Sequence, residues 1–165
     1  MKRGINTKCL HLEDEEGCFD NYGSLSYPIY QTATYAHPAV GESTGYDYSR
    51  LQNPTREHLE KIVAALEDGI DAIALSSGMA AITLLMEIFK PGDHVIVDSD
   101  LYGGSIRLFS NVSEKNNITF SRVDCHKEKV EAYITENTKA IYIETPTNPM
   151  MNVTDIEAMV KIAHE

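Results

Sequence analysis

From Asn53 onward the apolar residues fall into alternating helical and extended patterns. Asn53 stands ahead of Pro54, and Leu59, Ile62, Val63 and Leu66 recur at helical spacing up to Gly69. This predicts a helix with Asn53 as N-cap and Pro54 at its first position. The apolar run 72–75 predicts a strand, 78–89 a helix closed by the Pro91-Gly92 turn, and 94–97 a second strand. A helical segment follows Tyr102, then a strand over 118–123, a helix over 127–136 and a strand over 140–143. Thr154 and Glu157 have the spacing of a capping box and start a last helix, with Ile156, Met159, Val160 and Ile162 or Ala163 on its apolar side. Short all-apolar strands alternating with helices predict an α/β fold whose parallel sheet is covered on both faces.

Before Tyr46 this regularity is missing. Phe19, Tyr22, Tyr27, Tyr30 and Tyr35 are spread among glycines and prolines without sustained periodicity. The expectation is an extended arm over 1–50 that lies on some surface, followed by a larger domain over 51–165. The last helix stops at His164-Glu165 with no glycine, proline or returning strand, so the chain reads as truncated, its sheet left with an unpaired edge.

Composition narrows the function classes. The 165 residues are 42% hydrophobic, enough for a core, and the net charge of −11 disfavours nucleic acid and anionic membrane surfaces as partners. No apolar run approaches the length of a membrane span and no apolar segment follows Met1 to Lys8, so a soluble, cytoplasmic protein is expected. Cys9, Cys18 and Cys125 are odd in number and lack a CxxC pair. The Cys9, His11, Cys18 group is read as structural, and no metal site is expected.

The turn Ser76-Ser77-Gly78-Met79-Ala80-Ala81-Ile82 is the strongest chemical signal. Small residues where a strand gives way to a helix let the first free N–H groups and the positive end of the helix dipole meet an anion directly. No GxxxxGK[ST] occurs and no lysine follows Gly78 in the turn, which argues against a nucleoside triphosphatase.

Four segments in order, Tyr46-Asp47-Tyr48-Ser49-Arg50-Leu51-Gln52-Asn53-Pro54-Thr55, Ser76 to Ile82, Asp100-Leu101-Tyr102-Gly103-Gly104 and Glu144-Thr145-Pro146-Thr147-Asn148-Pro149, resemble the successive signatures of the Cys/Met-metabolism enzymes. That family uses pyridoxal 5′-phosphate (PLP) and includes cystathionine γ-synthase, the cystathionine lyases and methionine γ-lyase. The resemblance spans the whole chain but only the N-terminal part of the family's longer sequence. It implies the type I PLP-dependent transferase fold, aspartate-aminotransferase-like, with an incomplete, mostly parallel sheet, an N-terminal arm and the C-terminal domain absent. It further implies a homo-oligomer, a tetramer built from dimers that share active sites, acting on a small amino-acid substrate.

By the same resemblance Gly78 and Met79 offer backbone N–H groups to the cofactor phosphate, Ser76 or Ser77 adds a hydroxyl, and Tyr48 and Arg50 reach the phosphate from a neighbouring subunit. Tyr102 stacks on the pyridine ring and takes part in acid–base chemistry near the substrate amine, and Asn148 donates to the cofactor's phenolic oxygen. Glu144 ends a strand near the site. Taken alone, these residues read otherwise: Arg50 as a surface or ion-pair arginine, Tyr48 as packing of the arm, Tyr102 as a loop tyrosine ahead of a helix, and Asn148 as a turn asparagine before Pro149.

The family's Schiff-base lysine and the aspartate that pairs with the pyridinium nitrogen both lie beyond the region covered. None of Lys2, Lys8, Lys61, Lys90, Lys115, Lys127, Lys129, Lys139 and Lys161 has the small, apolar setting that activates an amine. The complete protein is therefore expected to carry out β- or γ-elimination, or γ-replacement, on cystathionine or an activated homoserine, and this chain alone to be inactive. Gly104, where methionine γ-lyases typically carry cysteine, favours cystathionine γ-synthase or a cystathionine lyase, with methionine γ-lyase as the alternative. A non-catalytic phosphate-binding or assembly fragment is the reading of another class.

Overall fold

The structure is a computed structural model that describes residues 4–10, 22, 24 and 26–165. Lys2, His11, Cys18 and Phe19 lie outside the described residues. Two compact units divide the chain, Met1–Ala74 and Leu75–Glu165.

In the first unit, helix α1 (Ile5–Leu10) interrupts the arm that was expected to lack regular elements. Its Lys8 Nζ donates to the Ala65 carbonyl at 2.7 Å and pairs with Asp68 at 3.2 Å. It thereby satisfies an orphan carbonyl in the last turn of α2 (Pro54–Leu66), where a cation also suits the helix dipole. Helix α2 starts as predicted: Asn53 Oδ1 accepts the Thr55 N–H at 2.9 Å and Pro54 occupies the first turn. It ends at Leu66, short of Gly69, with Asp68 in the left-handed conformation at φ +51°. Leu59 and Val63 are exposed, so much of the apolar stripe of α2 is uncovered. The arm's aromatic side chains use this helix: the Tyr27 ring stacks on His58 with centroids 3.9 Å apart, and the Tyr46 hydroxyl donates to Glu57.

The second unit is built on three parallel strands in the order β2-β1-β3: β1 (His94–Asp98), β2 (Thr119–Val123) and β3 (Thr138–Tyr142). Central β1 is buried along its whole length, which is why its sequence is an unbroken apolar run between His94 and Asp98. Its alternate residues feed two cores. Val95 and Val97 pack with Met86, Leu101, Phe109 and Ile118, whereas Ile96 packs with Val123, Cys125 and Val130. Helices α3 (Gly78–Met86) and α4 (Gly103–Leu108) supply the first face, and α5 (Ile156–His164) covers the second through Met159 and Ile162. A parallel sheet covered on both faces is thus as the sequence implied, with one strand fewer.

Four local expectations are corrected. Residues 72–75 form no strand, because no neighbour pairs with them among the described residues. Helix α3 ends at Met86, where Phe89 N–H turns back to the Met86 carbonyl at 3.3 Å. The helix expected over 127–136 shrinks to a 3-10 turn, Val130–Tyr133. Lys127 and Glu128 donate back to the Asp124 carbonyl, and Lys129 then turns extended at ψ 99°, so a helix cannot propagate across it. Finally, α5 is capped by Asp155, whose Oδ1 accepts the Ala158 N–H at 3.1 Å, and not by Thr154. Thr154 is buried instead, donating its N–H to Thr145 Oγ1 at 3.1 Å and its hydroxyl to Asp98 at 3.5 Å.

Candidate functional site

The carboxyl ends of β1 and β3 are where a parallel sheet of this kind opens a site, and the loops leaving them carry the candidate residues. Beside them stands the start of α3. Ser77 is its N-cap, with Oγ accepting the Ala80 N–H at 3.1 Å and its carbonyl accepting the Ala81 N–H at 3.1 Å. The Gly78 and Met79 amides are the first-turn donors for which the helix has no acceptor. Ser77 and Gly78 are exposed, and a β-carbon on Gly78 would meet nothing within 4 Å. The Ser77 hydroxyl uses a lone pair in the cap and keeps its own proton to donate.

Tyr102 is drawn to this helix start through Gly104. A β-carbon on Gly104 would lie 2.4 Å from Tyr102 Cε1 and 2.8 Å from Met79 Sδ, so the ring and the thioether close over the one residue type small enough to sit beneath them. Tyr102 remains 47% exposed, which leaves surface for a flat partner. Its backbone N–H donates to Glu144 Oε2 at 2.9 Å, giving Glu144 a definite place at the site.

Asn148 lies exposed on the loop after β3, next to buried Thr147. The Thr147 hydroxyl donates to Asp100 on the loop after β1, and Met150 N–H donates to the same Asp100 oxygen at 3.2 Å. The sequence does not single out Asp100, because the partner that ties it to this loop lies 47 residues on.

Asp98 and Cys125 lie deeper in the second unit. Burial pushes the Asp98 carboxyl above the usual carboxylate range, against hydrogen bonds from Asp100 N–H and Thr154. Burial, then the adjacent Asp98 and Asp124 carboxylates, raise the Cys125 thiol to about 12, so it stays protonated and is no nucleophile.

Tyr48 and Arg50 belong to the first unit. An isolated bridge between Thr34 and Tyr48, with Ser49 N–H donating to the Ala33 carbonyl at 2.9 Å, holds the turn. The Arg50 guanidinium carbon lies 4.9 Å from the Tyr48 ring centroid, a cation–π contact, and Arg50 has no carboxylate partner among the described residues. Arg56, which the sequence did not single out, braces this turn by donating to the carbonyls of Ser49 at 3.1 Å and Leu51 at 2.5 Å. Arg50 also edges an open concavity of about 610 Å³ whose walls include Arg56, Glu60 and Ala74.

The residues of the second unit fit a PLP molecule: two amides and a hydroxyl suit its phosphate, open space lies in front of Gly78, and a half-exposed aromatic face stands next to them. No group of three or more His, Cys, Asp or Glu side chains is arranged to hold a metal among the described residues, and no helix among them is long and apolar enough to cross a membrane.

The chain is similar to known proteins over its whole length. The family described as Cys/Met metabolism PLP-dependent enzyme matches residues 6–165. The cystathionine gamma-synthase/O-acetylhomoserine (thiol)-lyase of Bacillus subtilis is 50% identical over 170 residues, covering 100% of this chain and 44% of the relative. The cystathionine gamma-lyase of the same organism is 51% identical over 142 residues, covering 86% of this chain and 38% of the relative. Among solved structures, metB from Corynebacterium glutamicum superposes with a TM-score of 0.87 at 43% identity, over 98% of this chain and 42% of that one. The chain thus spans less than half the length of each of these proteins. The family match over residues 6–165, these identities and the shared fold place it: the chain belongs to the Cys/Met metabolism PLP-dependent enzyme family.

Proposed function

We propose that this chain is the phosphate-holding and ring-stacking part of a PLP enzyme of transsulfuration or sulfur amino-acid metabolism. Its reaction is β- or γ-elimination, or γ-replacement, on cystathionine or an activated homoserine. The observation that carries this reading is the meeting of the α3 start with the Tyr102 ring over Gly104. The Gly78 and Met79 amides and the Ser77 hydroxyl bind the phosphate, Tyr102 stacks on the ring and serves beside the substrate amine, and Asn148 donates to the phenolic oxygen. Tyr48 and Arg50 serve the phosphate of a partner subunit, which makes the working protein an oligomer with shared sites, a tetramer of paired dimers. Lack of an ion-pair partner among the described residues and the bracing of its turn by Arg56 support that role for Arg50, whose planar fork suits phosphate. The bound cofactor supplies an electron sink for the substrate's α-carbon.

Gly104 favours a cystathionine γ-synthase or cystathionine lyase over a methionine γ-lyase, since a cysteine there would require both the Tyr102 ring and the Met79 thioether to move. The two Bacillus subtilis relatives are of the favoured kinds by name.

The covalent step is assigned to a lysine outside this chain. Every described lysine is exposed except half-buried Lys8, which is engaged by Ala65 and Asp68, so none has the desolvated setting of a Schiff-base amine. Borohydride reduction of the 165-residue chain with PLP should leave no stoichiometric pyridoxyl adduct, while PLP binding by the phosphate is retained and competed by inorganic phosphate. A single fully modified lysine in the mass spectrum, or no phosphate-competed binding, refutes this assignment.

A further inference from the structure

The loops after β1 and β3 are tied to each other by carboxylates in both directions. Asp100, on the first loop, accepts the Thr147 hydroxyl and the Met150 N–H of the second. Glu144, on the second, accepts the Tyr102 N–H of the first at 2.9 Å. Both strands are neighbours in register, Ile96 beside Ile141 and Val97 beside Tyr142, so the two crosslinks close a small ring of covalent chain and hydrogen bonds at the sheet's carboxyl edge.

Thr147 is the anchor of that ring. It is buried, its Oγ1 also accepts Asn152 N–H at 2.9 Å, and its own N–H donates to the Asn152 carbonyl at 2.9 Å. Asp100 has no cation partner among the described residues, and the N-cap position of α4 is occupied by Tyr102, so neither an ion pair nor helix capping accounts for the carboxylate. Hydrogen bonds to a carboxylate are the stronger kind, and here they fall two residues from Tyr102 and one residue from Asn148.

We propose that Asp100 is a positioning residue: through Thr147 and Met150, with Glu144 tying Tyr102 in return, it sets the distance between the Tyr102 ring and the Asn148 side chain. The proposal rests on the functional reading above, in which those two side chains meet the face and the phenolic edge of one cofactor ring. The Asp100 carboxylate bonds to Thr147 and Met150 and not to either of those side chains. Losing it loosens Asn148 relative to Tyr102 while leaving the phosphate donors at Ser77 to Met79, on another element, unchanged.

The test compares wild type, Asp100→Ala and Asp100→Asn in the full-length protein loaded with PLP. Two readouts are needed: the pH midpoint of the bound cofactor's absorption change, and the inorganic phosphate concentration that halves PLP binding. Asp100→Ala should shift the midpoint by about 0.5–1 pH unit, the equivalent of one weakened hydrogen bond at the phenolic oxygen. Phosphate competition should stay within about twofold, as for a site acting independently. Asp100→Asn keeps an oxygen acceptor in the same place and should restore the wild-type midpoint. If Asp100→Ala does not fold, Thr147→Val removes the hydroxyl bond to Asp100 while leaving that of Met150 N–H, and should shift the midpoint in the same direction by a smaller amount, with an unshifted midpoint overturning the proposal. An unshifted midpoint, a midpoint shift matched by equal loss of phosphate competition, or an asparagine variant that behaves like alanine overturns the proposal alone. A wild-type protein that takes up no PLP overturns the functional reading, and this proposal with it.

Discussion

Replacing Gly78 by proline isolates one hydrogen-bond donor of the proposed phosphate site. Gly78 is the first residue of α3, where the backbone N–H has no carbonyl to meet and proline's fixed φ is already helical. The residue before it, Ser77, is extended at φ −163° and ψ 161°, a conformation that a following proline favours. A β-carbon at position 78 meets nothing within 4 Å, and the Ser77 cap on Ala80 is untouched. The fold should therefore survive, with stability changed by no more than about 1 kcal/mol, and that change favourable where proline stiffens the unfolded chain. Binding should not survive intact. One charge-assisted hydrogen bond to phosphate contributes about 1.5–3 kcal/mol, so PLP and inorganic phosphate should each bind about ten- to a hundred-fold more weakly. Titration by cofactor absorbance, repeated with phosphate as competitor and paired with a thermal melt, reads both quantities. Ser77→Ala is a poorer probe, because loss of the cap alone costs about 1 kcal/mol of stability. A Gly78→Pro protein with wild-type affinity for both ligands and an unchanged melt would refute the helix-start phosphate site.

Two further outcomes follow from buried groups. His94 bridges β3 and β2 through Thr138 Oγ1 at 2.7 Å and Ser121 Oγ at 2.9 Å, and burial holds its pKa below the ordinary histidine value. The unfolded chain then binds the proton more readily, so this stability is present above about pH 6.5 and is lost as pH falls through the depressed folded value. Melting temperature should fall on acidification over that window, and His94→Gln should flatten the fall; an equal slope in the variant rejects His94 as the cause. Cys125, buried and with its thiol raised to about 12, should resist a thiol reagent until the protein unfolds, whereas exposed Cys9 reacts at once. Peptide-level mass spectrometry distinguishes them, and early modification of Cys125 would contradict its buried, protonated state.

What could be read from the chain itself was whatever local chemistry dictates. An apolar run long enough for one strand and bounded by turns, 94–97, could only be buried on both faces, and it became the central β1. Asn53 before Pro54 specifies a helix start because cap and first turn are satisfied within three residues. The small residues at 76–78 leave a helix start with open first-turn donors for the same reason: those donors belong to the helix that follows them. Where the outcome depended on partners distant in sequence, the tertiary structure decided. Residues 72–75 have strand composition, but a strand exists only when another pairs with it. Thr154 has the sequence of a cap, yet the buried Asp98 and Thr145 claim its polar atoms and hand the cap to Asp155. Asp100 shows the same limit at the site. Its bonds to Thr147 and Met150 span 47 and 50 residues, and only folding of β1 beside β3 turns an ordinary loop carboxylate into the link between two site loops.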